Sequence, residues 1–159
     1  MDRDLEELLS ALIAHSVRYV VVGGHAIAVH AQPRATKDLD IFIDRRPENA
    51  KAVYAALAAF GAPMTGLTPE DFEKPTSVLR LGVPPVCVDI LQSIDGVDFD
   101  TVWEASSEHT VDGFRARYIS AEDLITNKLA SGRPQDLADV AALRQAQSAK
   151  RKRRSSGAT

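Results

Sequence analysis

Two aspartates one residue apart, Asp38 and Asp40, open an otherwise apolar run, Asp38-Leu-Asp-Ile-Phe-Ile43. On a strand, alternate side chains share a face, so Asp38, Asp40 and Phe42 point one way and Leu39, Ile41 and Ile43 the other. Two carboxylates about 6–7 Å apart on one face repel unless a cation or a hydrogen-bond donor lies between them. Hard oxygen ligands suit Mg²⁺ or Mn²⁺, and such a pair can bridge two ions about 3.5–4 Å apart. A third carboxylate, Asp89, interrupts the apolar segment Val86-Cys-Val-Asp-Ile-Leu91. Buried without a partner it would be costly, so it is expected to meet something cationic. If the two segments are neighbouring strands, all three carboxylates converge. The plain alternatives are a solvated or turn-capping pair at the strand entry, and an Asp89 held by an internal arginine or by backbone amides.

Upstream, Val20-Val-Val runs into Gly23-Gly24 and then His25-Ala-Ile-Ala-Val-His30. A strand that breaks at two glycines and restarts as a helix gathers free N–H groups at the positive end of a helix dipole, which accepts an anion, above all phosphate. The glycines alone are a weak signal. With an acidic pair 14 residues later they become two halves of one site, metal on the aspartates and phosphates under the glycines, which together describe a nucleoside triphosphate with Mg²⁺. His25 and His30 flank the short helix and read first as capping or packing residues. Arg34 and Thr36 precede the first aspartate and either steady that loop or touch a phosphate. Further on, Leu124, Ile125, Lys128 and Leu129 share a helical stripe, so Lys128 lies within an apolar face. It must snorkel, pair or point into a site. Its candidate partners are Asp136, Asp139 and a bound phosphate, and Arg133 in the intervening turn is a further candidate.

These residues need elements to hold them. Leu5, Leu8, Leu9, Leu12 and Ile13 predict an amphipathic helix over residues 4–15. Strands are expected at 18–22 and 38–43, with a helix from Pro47 that ends at Gly61. Residues 62–76, rich in proline, read as loop with one turn near Pro69. Two strands, 77–82 and 86–91, flank Val83-Pro-Pro85 as a hairpin, and a short helix fits 100–105. Asp112-Gly113 marks a tight turn between strands 109–111 and 114–119. Ser120 caps a helix reaching about Ala130, and a last helix covers 135–149. The order implies one α/β (α+β) domain over residues 1–149, with a mixed sheet flanked by helices.

The chain has 159 residues, a net charge of −3 and one cysteine, Cys87, within an apolar run. That excludes a disulfide framework and a cysteine-built zinc site. No apolar run approaches the roughly 20 residues of a membrane span. The acidic start lacks the features of a secretory signal, so a cytoplasmic location is expected, without a membrane partner. Lys150-Arg-Lys-Arg-Arg154, with the residues to 159, reads as a basic, disordered tail or as a loose contact with RNA or another polyanion.

Gly23-Gly24-His-Ala, Arg34-x-Thr-x-Asp38-x-Asp40 and the later Asp89 together resemble the DNA polymerase β-like nucleotidyltransferase superfamily. The ending, Asp123-Leu-Ile-x-x-Lys128-Leu-x-x-Gly-Arg133-Pro-x-Asp136-Leu-x-Asp139, is similar to small bacterial nucleotidyltransferases of the AbiEii type, related to abortive-infection and toxin proteins. The resemblance spans about residues 3–146 and implies a single nucleotidyltransferase domain. It implies metal-dependent transfer of a nucleoside monophosphate from NTP to an acceptor hydroxyl. It also implies that Asp38 and Asp40 hold two Mg²⁺ or Mn²⁺ ions and that Asp89 binds the catalytic one and helps activate the acceptor. Gly23 and Gly24, with His25, Arg34, Thr36 and Arg133, would bind the nucleotide. Lys128 would meet phosphates or be set by Asp136 or Asp139. His25 stands where the superfamily pattern has a serine. The acceptor could be tRNA or other RNA, a protein or a small molecule, held by this chain, by an antitoxin-like partner or by a second copy. An inactive nucleotide-binding or partner-binding protein of the same fold is the alternative, and an Asp-x-Asp phosphatase resembling the haloacid dehalogenase-like class is a further one.

Overall fold

A computed structural model describes residues 2–32, 36, 38–83 and 86–157. The expected Arg34 contact lies outside these residues.

Helix α1 (Arg3–Ala14) is capped by Asp2, whose carboxylate accepts from the Asp4 amide. Strand β1 (Tyr19–Val22) leads directly into α2 (Gly23–His30), and β2 spans Asp38–Ile43. Helix α3 (Pro47–Phe60) begins with proline in its first turn and stops at Gly61, whose φ of +98° is a left-handed turn that suits glycine. A 3₁₀ turn at Pro69–Glu73 interrupts the proline-rich loop. Strands β3 (Val78–Val83) and β4 (Val86–Leu91) form the hairpin, followed by α4 (Phe99–Ala105). The hairpin β5 (Ser107–Val111) and β6 (Phe114–Tyr118) turns at Asp112-Gly113, both at positive φ. Ser120 caps α5 (Ala121–Ser131), and α6 spans Pro134–Ser156.

The described strands make one six-stranded mixed sheet in the order β3-β4-β2-β1-β6-β5. The β2–β4 and β1–β6 pairings are parallel and the other three antiparallel. The expected α/β fold with helices flanking a mixed sheet is observed. Leu39, Ile41, Ile43, Val88 and Ile90 are buried in the core with Leu5, Leu8 and Leu9 of α1 and Val53 and Leu57 of α3. The opposite face carries the aspartates and lies beside α2, which contacts α5 and α6.

Three expectations change. Ile13 and Leu129 are 48% and 45% exposed, so the buried stripes of α1 and α5 are narrower than their apolar patterns. Helix α6 does not end near Ala149 but runs through the basic block to Ser156. Lysine and arginine are good helix formers, and cations suit the last turns of a helix dipole. The basic side chains themselves are exposed. Among the described residues, no helix is long and apolar enough to cross a membrane.

Candidate active site

The parallel β2–β4 register sets Asp40 opposite Asp89 and Asp38 opposite Cys87. Alternation then places Asp38, Asp40 and Asp89 on one face of adjacent strands. The two segments are neighbouring strands, as the expectation required, and the register sets the three carboxylates on a common face. Their environments differ. The Asp38 side chain is 48% exposed and that of Asp89 16%. Asp40 is pushed up to about 6, first by burial and then by the neighbouring charges of Asp89 and Asp38, with Lys128 and Arg80 pulling the other way.

Val22 of β1 pairs with Asp40, so the chain leaves β1 beside that carboxylate. Gly23 turns there at φ +68°, and a Cβ on it would collide with the Asp40 carboxylate. Only glycine lets the α2 N-terminus come this close to the acidic strand. Gly24 is packed the same way: a Cβ would lie 3.0 Å from Thr36 Oγ1, whose hydroxyl donates to the Asp38 carbonyl at 3.3 Å. Thr36 thus packs on Gly24 and is bonded to the first residue of β2. Among the described residues no side chain caps α2, so its first N–H groups lack a side-chain acceptor there. His25, in the first turn, has a buried Nε2 without a hydrogen-bond partner. Burial holds its imidazole below the usual histidine range, with Asp38 opposing.

Lys128 is buried, its Nζ 3.2 Å from Asp136 Oδ1 and 3.3 Å from Asp139 Oδ2. Arg133 Nε donates to Asp136 Oδ2 at 2.8 Å, and Gln135 Nε2 to Asp139 Oδ1 at 3.1 Å. Burial would push Asp136 up, but Arg133 and Lys128 outweigh it and hold its carboxyl below the usual range. Of the partners expected for Lys128, the structure brings both aspartates together. The result is a clasp between α5 and α6 whose charge reaches Asp40. His30 is structural, donating from Nε2 to the Ile119 carbonyl at 2.6 Å.

One residue of the site escaped the sequence reading. Arg80 of β3 is in register with Asp89 and grips it with two hydrogen bonds, Nε to Oδ1 at 2.9 Å and Nη2 to Oδ2 at 3.0 Å. Its Nη2 is also 3.9 Å from Asp38 Oδ2. The expected hairpin, with strands over 77–82 and 86–91, would set Arg80 opposite Val88; the observed register, in which paired residue numbers sum to 169, is shifted by one and sets Arg80 opposite Asp89.

The comparisons with known proteins bear on this geometry. Residues 1–155 match the family described as "Nucleotidyl transferase of unknown function (DUF2204)". The chain belongs to that family. It is an enzyme of nucleotidyl transfer, which sets aside the phosphatase alternative. No curated protein matches this DUF2204 chain in sequence. Among solved structures, a candidate nucleotidyltransferase, TM1012 of Thermotoga maritima, shares the fold at TM-score 0.59 and 18% identity, over 86% of this chain and 87% of that one. The lincosamide antibiotic adenylyltransferase LnuA, solved with lincomycin bound, aligns at TM-score 0.57 and 19% identity, over 91% and 96%. The antibiotic-resistance factor ANT(2'')-Ia aligns at TM-score 0.54 and 14% identity, over 92% and 82%.

The family implies a divalent metal. The donor set suits one: three hard carboxylates in register, with Asp40 raised by burial and then by its neighbours' charges, both of which a bound cation offsets. Among the described residues, however, no three His, Cys, Asp or Glu side chains are already gathered as a metal site. Both oxygens of Asp89 are on Arg80.

Proposed function

We propose that this DUF2204 protein transfers a nucleoside monophosphate from an NTP to an acceptor hydroxyl at the face shared by Asp38, Asp40 and Asp89. The observation that carries the reading is the β2–β4 register, with the α2 N-terminus brought against Asp40 by a glycine that has no room for a side chain. Asp38, Asp40 and Asp89 would hold Mg²⁺ or Mn²⁺, which supplies charge neutralisation on the triphosphate and acidifies the acceptor hydroxyl. The free amides of α2 bind triphosphate oxygens. The unpartnered His25 Nε2 sits in the same first turn and replaces the usual hydroxyl contact there. The acceptor oxygen forms its bond to the α-phosphorus, and the bond from that phosphorus to the bridging oxygen breaks. Pyrophosphate leaves, and the acceptor's proton passes to a carboxylate of the cluster. Lys128, committed to Asp136 and Asp139, positions α5 and lends its charge towards Asp40. The Arg133 side chain is 74% exposed and can add a phosphate contact.

The five exposed cations at 150–154 on α6 favour RNA, including a tRNA end, over a protein or small molecule as acceptor. An AbiEii-type role in the cytoplasm, with an antitoxin-like partner, belongs to the same proposal. The test is a transfer screen with each labelled NTP and Mg²⁺ against bacterial RNA and protein, comparing wild type with Asp38→Ala. Label transfer and pyrophosphate release by wild type alone support the reading. Equal label transfer by Asp38→Ala, or none to any of these acceptors, would overturn the assignment of the reaction to this face and these acceptors.

A further inference from the structure

We infer that Arg80 is a built-in counter-ion of the carboxylate cluster: its guanidinium holds Asp89 while no metal is bound, competes with a divalent cation for that carboxylate, and on release turns its charge to the triphosphate. The inference rests on the reading of Asp38, Asp40 and Asp89 as cation ligands.

The geometry supports it in three ways. Arg80 uses two donors on the two Asp89 oxygens and reaches 3.9 Å from Asp38, so its fixed charge lies against two of the three carboxylates. A cation bound by Asp89 must take at least one of those oxygens from it. Arg80 is also free to leave. Its side chain is 58% exposed, and β3 is an edge strand, so among the described residues no further strand confines it. Finally, arginine does not lose its proton in the neutral range, so only a competing cation frees Asp89 there. An ordinary cross-strand pair makes the opposite demand. Such a pair adds a little stability and does not affect metal affinity.

The experiment is Mn²⁺ binding to the full chain without nucleotide, followed by the paramagnetic resonance of free Mn²⁺, with folding checked by circular dichroism. Arg80→Gln is expected to bind Mn²⁺ about tenfold more tightly than wild type, the scale of a single coupled charge. Arg80→Lys, which keeps the charge without the fork, should fall between them. Arg115→Gln, an exposed arginine paired with Glu108 on the far β5–β6 hairpin, should match wild type. In the presence of Mn²⁺, Arg80→Gln should bind ATP about tenfold more weakly. Equal or weaker Mn²⁺ binding by folded Arg80→Gln overturns the competition, and unchanged ATP binding overturns the hand-over. If wild type and Arg80→Gln both fail to bind Mn²⁺, the carboxylate reading itself falls, and the inference with it.

Discussion

Two acidic clusters sit on the same side of this sheet, and they are handled in opposite ways. In the α5–α6 clasp, Asp136 and Asp139 surround the buried Lys128, and Arg133 and Gln135 complete their hydrogen bonds. Every charge there is answered from within the chain. Across β2 and β4, three carboxylates share a face, and among the described residues the one cation gripping any of them is the exposed Arg80. Asp40 shows the imbalance, raised to about 6 where Asp136 is held low. A closed cluster serves the fold. An open one leaves its electrostatic need for a ligand to meet, so damage to the two should appear in different measurements.

The largest effect is expected at the open cluster. Asp40→Asn should reduce pyrophosphate release by at least about a thousandfold, because in the proposed reaction it removes a charge that acts on the reacting groups. The same change should stabilise the fold at pH 7.5 by about 1 kcal/mol in urea melts. A raised carboxyl means that the native state binds its proton more readily than the unfolded chain does. Wild-type stability therefore gains as pH falls through about 6, and the gap between wild type and Asp40→Asn should close towards pH 5. Activity should decline over the same limb. A destabilised Asp40→Asn would break the contrast.

At the closed cluster the expectation reverses. Lys128→Met leaves two buried carboxylates without their shared cation and should cost about 3–5 kcal/mol, read as a fall in the denaturation midpoint. A variant that melts like wild type would show that the clasp is not a structural ion cluster. Gly23→Ala falls between the regions, because its Cβ meets Asp40 at a left-handed φ. Strain of about 1–3 kcal/mol should accompany a marked rise in KM for NTP. The smallest effect belongs to the basic end of α6. Truncation after Ala149 should change stability by no more than about 0.5 kcal/mol. It should, however, weaken RNA binding and flatten its salt dependence.

Much of this fold is legible in residue types and their spacing. Strand β2 falls on the expected residues because Asp-x-Asp alternation, a preceding loop and a following Pro47 bound it tightly. The shared face of Asp38 and Asp40 follows from that alternation alone, and the left-handed Gly61 stop from glycine chemistry. Arg80 was hidden for a different reason. Its importance comes from pairing, and pairing became visible only once the β3–β4 hairpin fixed which residues face each other. The exposure of Leu129 was equally out of reach, since periodicity gives the direction of a helical face but not the width its neighbours cover. His25 was legible as a residue of the α2 entry, but not as a buried nitrogen without a partner.

Because α6 continues unbroken from Asp136 to Arg154, it would work as a ruler for the proposed RNA acceptor. At 1.5 Å per residue, the middle of the cationic turns stands about 20 Å along the axis from Asp139. A strand of nucleic acid held at that end would be measured off from the clasp by a stiff rod, so lengthening α6 by a turn should shift which nucleotide reaches the aspartates.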